Sequence, residues 1–138
     1  MILRYDRTST RQGLDVIVIQ TVDRVEAAAV QLTVDAGTLD EHPSEGGLAH
    51  LVEHMLFKGS ASHPVGAATA RIEAHGGDLN AWTSHDQLTL HTALDAAAWP
   101  EAIEVIADLL TRPLLPAEEL ERERSVVLDE LAGYDDDP

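Results

Sequence analysis

GGLAHLVEHMLFKGS, residues 46–60, is the stretch from which the rest of the chain can be placed. Leu48, Leu51, Val52, Met55 and Leu56 recur at three and four residues, the period of a helix with one apolar face. Gly59 stands where such a helix would end, so the spacing predicts a helix over 47–58. On that helix His50 and His54 are neighbours one turn apart, and Glu53 falls on the same side.

Working back towards the N-terminus, TLDEHPSEGG (38–47) carries the proline and glycine punctuation of a loop. Before it, VEAAAVQLTVD (25–35) alternates at Val30, Leu32 and Val34 and stops at Ala36–Gly37. DVIVIQ (15–20), bounded by Gly13 and Thr21–Asp23, is β-branched and short, and is expected as a strand beside it. Working forward, Pro64 is expected in the first turn of a second helix through Ala67, Ala70, Ile72 and Ala74 to Gly76–Gly77. Residues 78–83 and 87–94 read as strands joined by a turn at Ser84-His85-Asp86. Trp99 to Leu110 forms a third amphipathic helix, interrupted at Arg112–Pro113. Pro116, with Glu118 and Glu119 near the positive helix end, opens a fourth that runs to about Gly133. The order β-β-α-α-β-β-α-α implies an α+β fold, an antiparallel or mixed sheet with helices packed on one face, expected as a single domain over residues 1–138.

The chain of 138 residues has no cysteine, which excludes disulfides, zinc ribbons and thiol catalysis. Any metal site must use histidine and carboxylate. The net charge is −16, with one lysine beside eight arginines, a balance that repels nucleic acid and anionic membranes. The acid excess reads first as a solvated face, and secondarily as an attraction for basic peptides. MILRYDRTSTRQG lacks the apolar run of a secretory signal and no stretch approaches a membrane span, so a cytoplasmic location is expected. The closing DDDP reads as a solvated end or a cut.

Two imidazoles one turn apart can share a zinc ion at about 2.0–2.1 Å each. Glu53 sits between them, better placed to reach a water at that ion than the ion itself. The pattern H-x-x-E-H is the inverted form of the zincin helix. A third ligand is needed to leave one position open. Glu123 and Glu130 are seven apart on the fourth helix and share one side, with Leu120, Val126, Val127 and Leu131 nearby. A carboxylate facing a packed interior is costly unless paired or bound to a metal, and Glu130 fits that requirement. His42, His63, His75, His85 and His91 lack a partner at ligand spacing and are read as non-ligands.

With these residues in view, residues 46–60 resemble the signature of the pitrilysin-type metallopeptidases, the family of insulin-degrading enzyme and the β subunit of mitochondrial processing peptidase. Further landmarks follow in register: Ala36–Gly37, Glu41, Ile72-Glu73-Ala74-His75-Gly76-Gly77, Asp78-Leu79-Asn80-Ala81-Trp82-Thr83-Ser84, and Glu123-Arg124 with Val127 to Glu130. The resemblance implies one zinc ion on His50, His54 and Glu130, with Glu53 as general base. It implies that Glu123 orients the site without binding the metal; read by itself, Glu123 is equally an ordinary solvated helix acid. It makes Asn80, Ala81, Trp82 and Thr83 the edge on which an extended peptide adds as a strand, with Asn80 holding the substrate backbone. His85 lies close to that strand. The implied activity is zinc-dependent endopeptidase cleavage of peptides or small unfolded proteins; the alternative is a zinc-binding, non-catalytic subunit of a larger complex.

Two departures stand out. Leu88-Thr89-Leu90 occupies the place of the family's Thr-x-Tyr. The family also carries as many residues again in the same lobe, then a second, usually metal-free lobe with an Arg and a Tyr near the scissile bond. A second lobe or a partner chain is therefore expected to complete the cleft.

Overall fold

The computed structural model describes residues 3–21 and 25–136. The Val22–Asp23 part of the expected strand boundary and the last two residues of DDDP lie outside the described residues. The elements run β1 (Leu3–Ser9), β2 (Asp15–Thr21), β3 (Ala27–Val34), α1 (Leu48–Leu56), α2 (Ala67–Glu73), β4 (Asp78–Thr83), β5 (Leu88–Asp95), α3 (Trp99–Thr111) and α4 (Ala117–Asp136).

The central sheet is antiparallel with order β3-β5-β4. β5 lies in the middle, and its Leu88, Leu90, Thr92 and Leu94 are all buried. The register sets Leu90 opposite both Leu32 and Ala81, which makes one apolar row across the sheet. α3 covers that row because Ala102, Val105, Ile106 and Leu109 share one helical stripe, each at most 1% exposed. Ile72 of α2 and Leu56 of α1 join the same core. Each such aliphatic side chain contributes about 1.5–3 kcal/mol by leaving water. Helices on one face of an antiparallel sheet are what the order of elements implied.

The first sheet differs from expectation. β2 does not lie beside β3; it pairs antiparallel with β1 in a separate two-stranded sheet, with Tyr5 opposite Ile19 and Arg7 opposite Ile17. β1 carries charge on both faces and has no alternation to mark it as a strand. Gly13 at φ 89° and the bond from Gly13 N–H to Thr10 C=O make the turn. Ile17, Val18 and Ile19 stay more than half exposed despite their composition. The second helix also starts later than expected: Pro64 precedes α2, which begins at Ala67 after Gly66. Among the described residues no helix is long and apolar enough to cross a membrane.

A buried polar cluster ties the loop after α1 to α3. Asp108, 4% exposed, accepts from the Ser60 hydroxyl, from His63 Nδ1 at 3.0 Å and from Ser62 N–H at 3.1 Å, and it pairs with Arg112. Arg71 Nη1 donates to His63 Nε2 at 3.1 Å, so His63 carries its proton on Nδ1. The Ser60 hydroxyl above all, then His63, Ser62 and Arg112, hold the Asp108 carboxyl well below the usual carboxylate range, against the opposing effect of burial. A depressed folded pKa gives stability that is present above the unfolded value of about 3.9 and lost as pH falls below it. Asp108→Asn should therefore flatten the fall in unfolding midpoint between pH 5 and pH 3 relative to wild type, measured by thermal melts. An unchanged slope would show that Asp108 is not among the groups responsible.

Candidate metal centre

The helix that carries His50, Glu53 and His54 is anchored at its N-terminus by a side chain from the preceding loop. Glu41 accepts from Gly47 N–H at 3.0 Å and from Ala49 N–H at 2.7 Å, satisfying two orphan donors and placing a carboxylate at the positive helix end. Gly47 is required here. Its φ is 91°, and an added Cβ would sit 2.9 Å from Leu131 Cδ1 of α4. Glu41→Ala should lower stability by about 1–2 kcal/mol, the scale of losing an N-cap, in a urea titration. A midpoint equal to wild type would mean that water caps the helix equally well.

α4 packs across α1 through Val127, which is buried, and Leu131. This contact brings Glu130 and Glu123 to the two histidines. His50 Nε2 and His54 Nε2 are 3.2 Å apart, and Glu130 Oε2 lies 3.4 Å from the first and 3.6 Å from the second. Ligands 2.0–2.1 Å from a tetrahedral zinc are separated by about 3.3–3.4 Å, so these three atoms fit one face of such a tetrahedron. They form the one cluster of three or more potential ligands of this kind among the described residues. The imidazoles meet edge to face, with centroids 4.8 Å apart.

His54 Nδ1 lies 2.9 Å from Glu123 Oε2. A carboxylate only accepts, so Nδ1 carries the hydrogen and Nε2 of the neutral ring presents its lone pair to the cluster. Lys58 Nζ holds the other oxygen, Oε1, at 2.6 Å. Lys58 foremost, then His54, draw the Glu123 carboxyl below its ordinary range, while burial opposes them.

Glu130 departs from expectation. Its side chain is 45% exposed, so it does not face a packed interior. It sits at the rim of the α1–α4 contact, one turn beyond the buried Val127.

Glu53 is not part of the triangle; its Oε2 accepts from the Thr83 hydroxyl of β4. β4 is an edge strand among the described residues, paired only with β5. Of its four singled-out residues, Ala81 and Thr83 face the helices, whereas Asn80 and Trp82 lie on the open face. The Asn80 amide donates to Asp78 at 2.7 Å, and Trp82 is 40% exposed. The bond from Thr83 to Glu53 and the ammonium of Lys58 escaped the sequence reading. Lys58 was visible in principle as the only lysine, four residues after His54. The remaining histidines lie elsewhere: His42 pairs with Ser44, His63 with Asp108, His75 with Glu101 and His85 with Thr38, and His91 sits beside Asn80 in the sheet register.

Two histidines one turn apart on a helix, with a carboxylate completing the triangle, make the donor set that the inverted zincin motif would offer a metal ion. The family profile described as Insulinase (Peptidase family M16) matches residues 16–138, and the chain belongs to that family. It is 34% identical over 132 residues to an uncharacterized zinc protease of Streptomyces coelicolor, covering 96% of this chain and 28% of that one. It is 35% identical over 130 residues to a probable mitochondrial-processing peptidase subunit beta of Schizosaccharomyces pombe, covering 94% and 28%. Among solved structures, pitrilysin superposes with a TM-score of 0.82 at 30% identity over 94% of this chain and 14% of pitrilysin. A protease from Helicobacter pylori superposes at 0.86 with 24% identity, over 94% and 31%, a likeness of fold alone. The chain thus spans about 28% of the length of these curated relatives.

Proposed function

We propose that the chain is the metal-bearing half-lobe of a zinc endopeptidase, with His50, His54 and Glu130 as ligands and Glu53 as general base. The triangle of 3.2, 3.4 and 3.6 Å between two imidazole nitrogens and a carboxylate oxygen carries this reading. Bound there, zinc would supply Lewis acidity, lowering the pKa of a water towards about 7 and polarising a carbonyl. Glu53 takes the proton of the attacking water and passes it to the leaving amine. Thr83 holds one oxygen of Glu53, and the other makes no further hydrogen bond among the described residues. The free edge of β4 accepts an extended peptide backbone, with Asn80 as a polar anchor beside it. Glu123 fixes the ring of His54 without binding the ion. The net charge of −16 favours basic peptides.

The side chains of His50, His54 and Glu130 are 22%, 21% and 45% exposed, so a second lobe or partner chain is proposed to cover them and exclude water. The test is hydrolysis of a mixed peptide library by the zinc-loaded chain, read by mass spectrometry with and without a chelator. Chelator-sensitive cleavage supports the peptidase. One zinc per chain without cleavage, alone or with any added lobe, favours a metal-binding subunit with no chemistry of its own.

A further inference from the structure

We propose that Lys58 is a positioning residue of this centre: through Glu123 it fixes the ring of His54 and so strengthens zinc binding. The inference rests on His54 being a zinc ligand. Lys58 stands two residues beyond the end of α1 and four after His54, so it emerges one turn along on the same side as that ring. Its side chain is 24% exposed and its ammonium lies 2.6 Å from Glu123 Oε1, while Glu123 Oε2 lies 2.9 Å from His54 Nδ1. Each oxygen of one carboxylate thus has its own anchor, and the Glu123 side chain is only 12% exposed. The terminal torsion of a glutamate is broad when nothing holds it. With one anchor the group can turn; with two on different oxygens it has one orientation. That orientation sets the tautomer and the plane of His54 before any ion arrives. Among nine basic residues in a chain of net charge −16, the only lysine is spent on this half-buried glutamate and, among the described residues, on no other ion pair.

Two consequences of removing Lys58 oppose each other. Loss of a cation relieves repulsion of the incoming ion. Lys58 is separated from the triangle by two hydrogen bonds and an imidazole, about one Debye length, so physiological salt screens this relief. Loss of an outer hydrogen-bonding partner costs about 10–100-fold when the partner goes entirely. Removing Lys58 loosens Glu123 without deleting it, so the loss of order wins but falls short of that range.

The test is zinc affinity of the full chain, by competition with a chelating indicator at about 0.15 M salt, with urea stability of each metal-free protein measured alongside. Lys58→Met is expected to weaken zinc about three- to tenfold and Glu123→Gln about 10–100-fold. The double variant should bind no more weakly than Glu123→Gln alone, because Lys58 acts only through that carboxylate. Lys58→Gln, which keeps a neutral donor, should lie between Lys58→Met and wild type, and serves if Lys58→Met does not fold. Variants that bind zinc as tightly as wild type, or fold-losses that multiply in the double variant, would overturn the proposal even if stability falls. A wild type that binds no zinc would instead remove the ligand assignment beneath it.

Discussion

Glu53→Gln is expected to keep one zinc per chain and to slow peptide hydrolysis by about 10²–10⁴-fold, the usual contribution of a positioned general base. The substitution preserves size and leaves an amide oxygen to accept from the Thr83 hydroxyl, so the helix and the edge strand should stay in place. What disappears is the proton acceptor. Because Glu53 turns towards β4 and lies outside the triangle formed by His50, His54 and Glu130, its charge is not needed to hold the ion. Metal content by atomic emission and turnover on the same preparation separate the two roles. Loss of zinc in this variant would make Glu53 a ligand, and undiminished turnover would remove it from the chemistry.

Glu130→Gln should have the opposite profile. An amide oxygen is a poor substitute for a carboxylate on a divalent ion, and the two imidazoles alone leave the triangle open. Zinc affinity should fall by more than the about 10–100-fold expected for an outer partner such as Glu123, so Glu123 and Glu130 can be ranked against each other. His54→Ala should match or exceed the loss in Glu130→Gln. The folded state should survive in Glu130→Gln, because the Glu130 side chain is 45% exposed and the packing between the helices rests on Val127 and Leu131. A Glu130→Gln protein with wild-type zinc affinity would sink its assignment as the third ligand.

The part of this arrangement that was legible in the chain follows from periodicities that burial enforces. α1 and α3 announce themselves because one face of each must enter the core. β4 alternates because the helices cover one side of its sheet, whereas the central β5 is buried on both faces over Leu88, Thr89 and Leu90. The approach of His50 to His54 is a property of helix geometry alone. The unread parts have physical reasons as well. β1 pairs in a sheet with two largely exposed faces, so no apolar alternation was required of it. β2 is recognisable as a strand, but a continuous apolar run says nothing about which neighbour it pairs with. Glu130 was assigned from the resemblance and from a supposed burial, whereas its position at a helix contact rim depends on how α4 crosses α1. Local sequence does not encode that crossing. Asp108 and His63 stand 45 residues apart, and their contact exists only once α3 has docked.

The most direct measurement is anomalous diffraction at the zinc edge from crystals of the wild-type chain grown with one equivalent of zinc. One peak per chain, bonded to His50 Nε2, His54 Nε2 and a Glu130 carboxylate oxygen at about 2.0–2.2 Å with Glu53 outside bonding distance, is the expected result. A peak held by other side chains, or none between α1 and α4, would contradict the assignment of this centre.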